Sequence, residues 1–198
     1  MRDATRSAGA GQGDGPATKT AVLVIDMQQG LCEGPGAAHD CAGTVARINA
    51  VTRRARDARL PVIFVQHEAG PGDLEYDTPA WQLAKGLETA TFDFRLRKTT
   101  PDAFLRTGLE RLLKSRDITQ LVVCGMHTEF CVDTTCRRAL ALGYPVTLVA
   151  DAHTSAGNAA LSAELVIAHH NLTLANISSF GPRVTVTPAS AVELPSAP

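Results

Sequence analysis

The run LVVCGMHTEFCV, residues 121–132, places a thiol, an imidazole and a carboxylate within a few positions of one another: Cys131, His127 and Glu129, with a second cysteine at Cys124. Thr128 is a residue type that caps helices, and TEFCVDTTCRRALALGY behind it carries a helical stripe, so Cys131 falls near the third helical position. A thiol there lies close to unpaired backbone N–H groups and the positive end of the helix dipole. That setting lowers its pKa and favours the thiolate. Cys124 sits inside an apolar strand pattern and Cys136 on another helical face, so both read as core. The chemistry that suits Cys131 is nucleophilic attack, which needs a base for the thiol proton and a cation to hold the charges in balance.

Residues of those types stand at the ends of other apolar runs. Asp26 closes TAVLVID, His67 and Glu68 follow PVIFVQ, Lys98 closes FDFRLRK and Asp151 closes PVTLVAD. Each has a plainer reading. A cysteine is most often a small buried hydrophobe, Asp26 can cap a turn, and Lys98 can be a solvated strand end. What favours chemistry is that an acid, a cation and a thiol all end on what would be one rim.

Metal, disulfide and nucleotide sites find less support. None of the six histidines stands in a His-x-His arrangement, His169 and His170 point to different sides of a helix, and a zinc site from His67, His127 and Cys131 lacks any diagnostic spacing. The five cysteines are scattered and odd in number, so free thiols are the expectation. GQGDG and GPG lack the strand-before, helix-after register of a phosphate loop.

The elements that must position these residues alternate. Strand-like runs fall at 20–26, 61–67, 92–98, 119–125, 145–151 and 184–187. Helical patterns lie between them at about 43–60, 102–115, 128–142 and 158–172. The first of these, GTVARINAVTRRARDARL, puts Val45, Ile48, Val51 or Thr52, and Ala55 on one stripe with arginines opposite. Such alternation implies βαβ crossovers and a three-layer α/β/α domain: a mostly parallel, doubly wound sheet of about six strands with helices on both faces. Ligands in these folds sit at the carboxyl ends of the strands, where Asp26, His67, Lys98 and the 125–131 segment fall.

The chain has 198 residues, 44% of them hydrophobic and 20% charged, with 19 basic residues against 20 acidic. That size suits one domain, and the charge balance argues against nucleic acid or an anionic membrane as partner. No apolar run reaches the roughly 18–20 residues that span a bilayer, and no short apolar signal core opens the chain. A cytoplasmic location is the expectation. Residues 1–19 are expected to form a disordered lead, 20–190 the domain, and 191–198 a flexible tail.

The segments LVIDMQ, KTTPDAF and VVCGMHTEFCVDTT, in that order and spacing, resemble the isochorismatase-like cysteine hydrolases over residues 20 to about 188. The resemblance implies a catalytic triad of Asp26, Lys98 and Cys131. It also implies a cis peptide between Met126 and His127, with an oxyanion hole made by the backbone N–H groups of His127 and Cys131. No cofactor is implied. Association as a homodimer or homotetramer through exposed helices is.

Within that family, isochorismatases that cleave a vinyl ether generally lack the cysteine, whereas amidases keep it. The nicotinamidase branch carries an Asp-x-His metal motif after the second strand, and QHEAGPGDLEYDTPAW has none. The resemblance therefore points to a hydrolase of a small amide, lactam, carbamoyl or ureido compound through a thioester, nearest the streptothricin hydrolase-like branch. A vinyl-ether hydrolase and a non-catalytic scaffold of the same fold are the alternatives. His67, Glu68, Trp81, Phe104 and Phe130 are the candidates for substrate contact. Trp81 and Phe104 can equally be core, and His67 can serve only to hold a loop.

Overall fold

The computed structural model of the chain describes residues 19–72 and 74–195. The strands are β1 (Thr20–Ile25), β2 (Val62–His67), β3 (Phe94–Lys98), β4 (Gln120–Met126), β5 (Val146–Thr154) and β6 (Val184–Thr187). The helices are α1 (Gln29–Cys32), α2 (Cys41–Asp57), α3 (Leu109–Lys114), α4 (Asp133–Ala141) and α5 (Ala163–Asn176), and a π turn spans Thr128–Val132. The strands form one sheet in the order β3-β2-β1-β4-β5-β6, and every neighbouring pair is parallel. This is the three-layer architecture expected from the alternation of elements.

β1 is buried along its whole length because it lies between β2 and β4 and is covered on both faces. Ala21, Leu23 and Ile25 point to one side, where Leu109 and Leu113 of α3, Cys136, Ala139 and Leu140 of α4, and Leu174 of α5 complete a core. Val22 and Val24 point to the other, against Val45, Ile48, Val51 and Ala55 of α2. The alternation of side chains along a strand thus divides an unbroken apolar run between two cores.

The winding reverses between β1 and β4. From β1 the chain runs outward through β2 and β3, then returns to β4 and runs outward through β5 and β6. That reversal opens a crevice at the carboxyl ends of β1 and β4. Gly125 sits there with φ +118°, and a Cβ on it would lie 2.0 Å from the carbonyl oxygen of Ile25. Only glycine lets the two strand ends approach this closely. Asp26, the next residue on the β1 side, takes the left-handed conformation at φ 50°.

Several boundaries differ from the sequence reading for local reasons. The expected helix over 102–115 is confined to Leu109–Lys114, because Asp102 Oδ1 accepts from the Phe104 amide and Arg106 has φ 58°. The helix expected from 158 starts at Ala163, because Asn158 Oδ1 takes the amides of Ala160 and Leu161 and Ser162 is the N-cap. β5 continues past Asp151, after a shift in register, to pair His153 with Gly125 and Thr154 with Met126.

The expected disordered lead lies outside the described residues except for Lys19, whose ammonium lies 3.1 Å from Asp117 Oδ2. Past residue 190, Val192 is buried against the α2 side of the sheet, and its carbonyl accepts from Arg54. No described helix is long and apolar enough to cross a membrane.

Candidate active site

Lys98, the last residue of β3, sends its side chain back beneath the rim, where it is fully buried. Its Nζ lies 2.7 Å from Asp26 Oδ2, 3.0 Å from His67 Nδ1, 3.1 Å from the Thr100 carbonyl oxygen and 3.2 Å from Cys131 Sγ. The residues come from β1, β2, β3 and the turn after β4, so the parallel sheet itself converges them. An ammonium donates only, which makes His67 Nδ1 an acceptor and puts the ring proton on Nε2.

Cys131 does not carry the depressed pKa that a helix N-terminus would confer. Burial and the Asp26 charge push its thiol up to about 12, with Lys98 opposing them. The sulfur is buried beside a carboxylate, in a π turn spanning Thr128–Val132. At neutral pH the resting group is therefore the thiol. Asp26 Oδ1 is buried without a hydrogen-bond partner among the described residues, so one oxygen of the acid is held by Lys98 and the other is open.

Thr128 does not cap the helix. Its hydroxyl lies 2.8 Å from Nδ1 of the buried His153, whose Nε2 lies 2.9 Å from Asn171 Oδ1. Asn171 donates its own amide to the Ala150 carbonyl, so Oδ1 must accept the His153 Nε2 proton and the Thr128 hydroxyl must donate to Nδ1. Burial lowers the His153 pKa to about 4 and keeps the ring neutral. The turn that carries Cys131 is thus tied to β5 and α5. The Met126–His127 peptide that leads into it is cis, and the His127 carbonyl accepts from the amides of Phe130 and Val132, on either side of Cys131.

The candidate contact residues divide. His67 is half-buried against Lys98, with a pKa lowered by burial and by the ammonium beside it. Glu68 lies on the rim, 3.5 Å from Arg97, whose guanidinium stacks on Tyr76. Trp81 is buried with its indole N–H unpartnered, and its ring meets Tyr76 edge-on at 5.0 Å. Phe130 is 58% exposed and faces the His127 ring edge-on. Phe104 is buried and stacks on Tyr144 in the α3–α4 core, the plainer of its two readings. Asp151 is exposed on the strand edge and its Oδ1 accepts from the Ala189 amide, away from Lys98.

Three participants escaped the sequence reading. Gln28 gives Nε2 to the carbonyls of His67 and Trp81 and takes the His67 amide on Oε1, locking β2 and the Trp81 loop to β1. It is the last residue of LVIDMQ, so the motif held the signal. Thr100 acts through its carbonyl, and Ser155 holds Glu129; neither leaves a trace in residue type.

Asp26, His67 and Cys131 each offer a ligand atom within 4.8 Å of the others, a geometry that a metal ion can use. The donor set does not fit one while Lys98 stays in place, since its ammonium already contacts all three side chains.

A model of the isochorismatase domain matches residues 20–179. The chain belongs to the isochorismatase family. It is 38% identical over 136 residues to a streptothricin hydrolase of Streptomyces noursei, covering 68% of this chain and 49% of that protein. The chain spans about half the length of that relative. A ureidoacrylate amidohydrolase RutB of Caulobacter vibrioides is 30% identical over 176 residues, covering 70% of this chain and 78% of the relative. A crystal structure of an isochorismatase family protein superposes with a TM-score of 0.78 at 34% identity, over 84% of this chain and 96% of its own.

Proposed function

We propose that this isochorismatase-family chain is a cysteine-dependent amidohydrolase that cleaves the C–N bond of a small amide, lactam, carbamoyl or ureido compound through a thioester. The observation that carries the reading is the Lys98 ammonium, which contacts both the Asp26 carboxylate and the Cys131 sulfur while Asp26 Oδ1 stays open. Vinyl-ether cleavage by protonation would give Cys131 no task. The kinship to a streptothricin hydrolase and to a ureidoacrylate amidohydrolase supports the same class of reaction.

Asp26 Oδ1 takes the thiol proton as the sulfur attacks the carbonyl carbon, because a thiol held near pKa 12 is not ionised beforehand. Lys98 holds the acid in place and offsets the charge that builds on sulfur and oxygen. The backbone N–H groups of His127 and Cys131 receive the oxyanion. When the tetrahedral adduct collapses, the C–N bond breaks and Asp26 returns the proton to the leaving nitrogen. A water then gives its proton to Asp26 and adds to the thioester, and the thiol is restored with release of the acid. The working unit is expected to be a homodimer or homotetramer.

A screen of primary amides, lactams and ureido compounds for ammonia or amine release tests the reading. Turnover is expected from at least one class in the native chain and from none in Cys131→Ala. Equal turnover in the two proteins would overturn it.

A further inference from the structure

Among the described residues, five buried side-chain N or O atoms have no hydrogen-bond partner: Thr20 Oγ1, Asp26 Oδ1, Trp81 Nε1, His127 Nε2 and Glu129 Oε2. Thr20 opens β1. The other four belong to residues at the carboxyl ends of the strands: Asp26 contacts Lys98, His127 and Glu129 stand at the turn that carries Cys131, and the Trp81 carbonyl is held by Gln28. A buried polar atom without a partner is costly, and native domains keep few of them. Their concentration at one end points to groups brought in from outside the chain.

Asp26 Oδ1 has its task in the mechanism; Glu129 does not. Glu129 lies two residues before Cys131 in the same π turn. Its Oε1 is fixed by the hydroxyl of the fully buried Ser155 at 2.8 Å, and Ser155 Oγ in turn accepts the Gly157 amide at 2.9 Å. The carboxylate is therefore clamped by one oxygen, and the other is held at a set place as an acceptor. The half-buried His127 ring feels the charges of both Glu129 and Asp26, so the two carboxylates share one neighbourhood. The Trp81 backbone is held from the β2 side, where its carbonyl accepts from Gln66, while Glu129 is held by Ser155 at the end of β5. Its Oε2 can take only a hydrogen-bond donor, and a clamped carboxylate repels substrates that carry a carboxylate there.

We propose that Glu129 is a specificity-determining residue whose Oε2 accepts a hydrogen bond from an amino group of the substrate, on the β4–β5 side of the carbonyl that Cys131 attacks. This rests on the amidohydrolase reading and adds the class of compound: an amide that also bears an amine, preferably protonated.

Calorimetric titration of the full Cys131→Ala chain with matched amides tests the proposal. The pairs are glycinamide against propionamide, β-alaninamide against butyramide, and γ-aminobutyramide against pentanamide. In at least one pair the amino amide is expected to bind about 10-fold to 100-fold more tightly than its alkyl isostere. That preference is expected to shrink to about twofold or less when Glu129→Gln is added. Ser155→Ala, which unclamps the carboxylate without removing it, is expected to weaken the preference and serves if Glu129→Gln does not fold. Equal binding within every pair, no binding of any probe, or a preference that survives both substitutions would overturn the proposal. Ammonia release by the native chain from the same amides reports on the amidohydrolase reading separately. Turnover without amine preference would remove the role of Glu129 alone, and preferential binding without Cys131-dependent turnover would remove the reading alone.

Discussion

The Nζ of Lys98 lies 2.7 Å from Oδ2 of Asp26, and both side chains are almost wholly withdrawn from solvent. Breaking a buried ion pair from one side leaves the other charge uncompensated, at a cost of about 3–5 kcal/mol. Lys98→Met and Asp26→Asn are each expected to lower unfolding stability by about that much. Lys98→Met with Asp26→Asn together should cost clearly less than the sum. Urea denaturation of the four proteins measures the coupling, and strict additivity would show that the pair is not one energetic unit.

The same carboxylate raises the Cys131 pKa, second only to burial, while Lys98 lowers it. Asp26→Asn removes the raising charge and keeps the lowering one. Its Cys131 is expected to reach the thiolate at a lower pH than the native chain, read from the pH profile of iodoacetamide alkylation followed by peptide mass spectrometry. Amide turnover is expected to be lost in the same protein, because the proton acceptor is gone. An alkylation profile that moves upward would contradict the arrangement.

His153 ties stability to pH. Its folded pKa of about 4 lies below the ordinary 6.5, so the unfolded chain binds the proton first as pH falls. The stability it contributes is complete above about pH 6.5 and drains away between about 6.5 and 4, about 2 kcal/mol of it by pH 5. In His153→Gln that part of the slope should vanish. Thermal unfolding of both proteins across this range checks it, and parallel curves would contradict it.

Gly125→Ala places a methyl group 2.0 Å from the Ile25 carbonyl oxygen, at a φ that alanine rarely adopts. The obstructing atoms are Ile25 backbone, so no flexible side chain can yield. The variant is expected to lose about 3 kcal/mol or more, or to fail to fold, by the same denaturation assay. Gly143, also at positive φ but open on all sides, should tolerate alanine with a smaller loss near about 1 kcal/mol.

Much of this was legible in the residues. Apolar runs bounded by turn signals located the central strands, because a strand buried on both faces, like β1, must be apolar throughout; the half-exposed edge strand β6 was placed to the residue from its alternation. The convergence of Asp26, His67, Lys98 and Cys131 followed from the rule that parallel strands end on one rim. What escaped depended on partners distant in the chain. Thr128 has the right type for a cap, yet His153, 25 residues on, claims its hydroxyl. Cys131 has the right position for a low pKa, yet burial and Asp26 outweigh the helix terminus. Asp151 looked like a strand end because the register shift that carries β5 on to Thr154 has no local signature.

The most direct test of the nucleophile is intact-protein mass spectrometry of the native chain, quenched in acid during turnover of an amide found by the screen. An added mass equal to the acyl group, mapped to the peptide holding Cys131 and removed by hydroxylamine, is the predicted result. Steady turnover with no such adduct, together with unchanged ammonia release by Cys131→Ala, would contradict it.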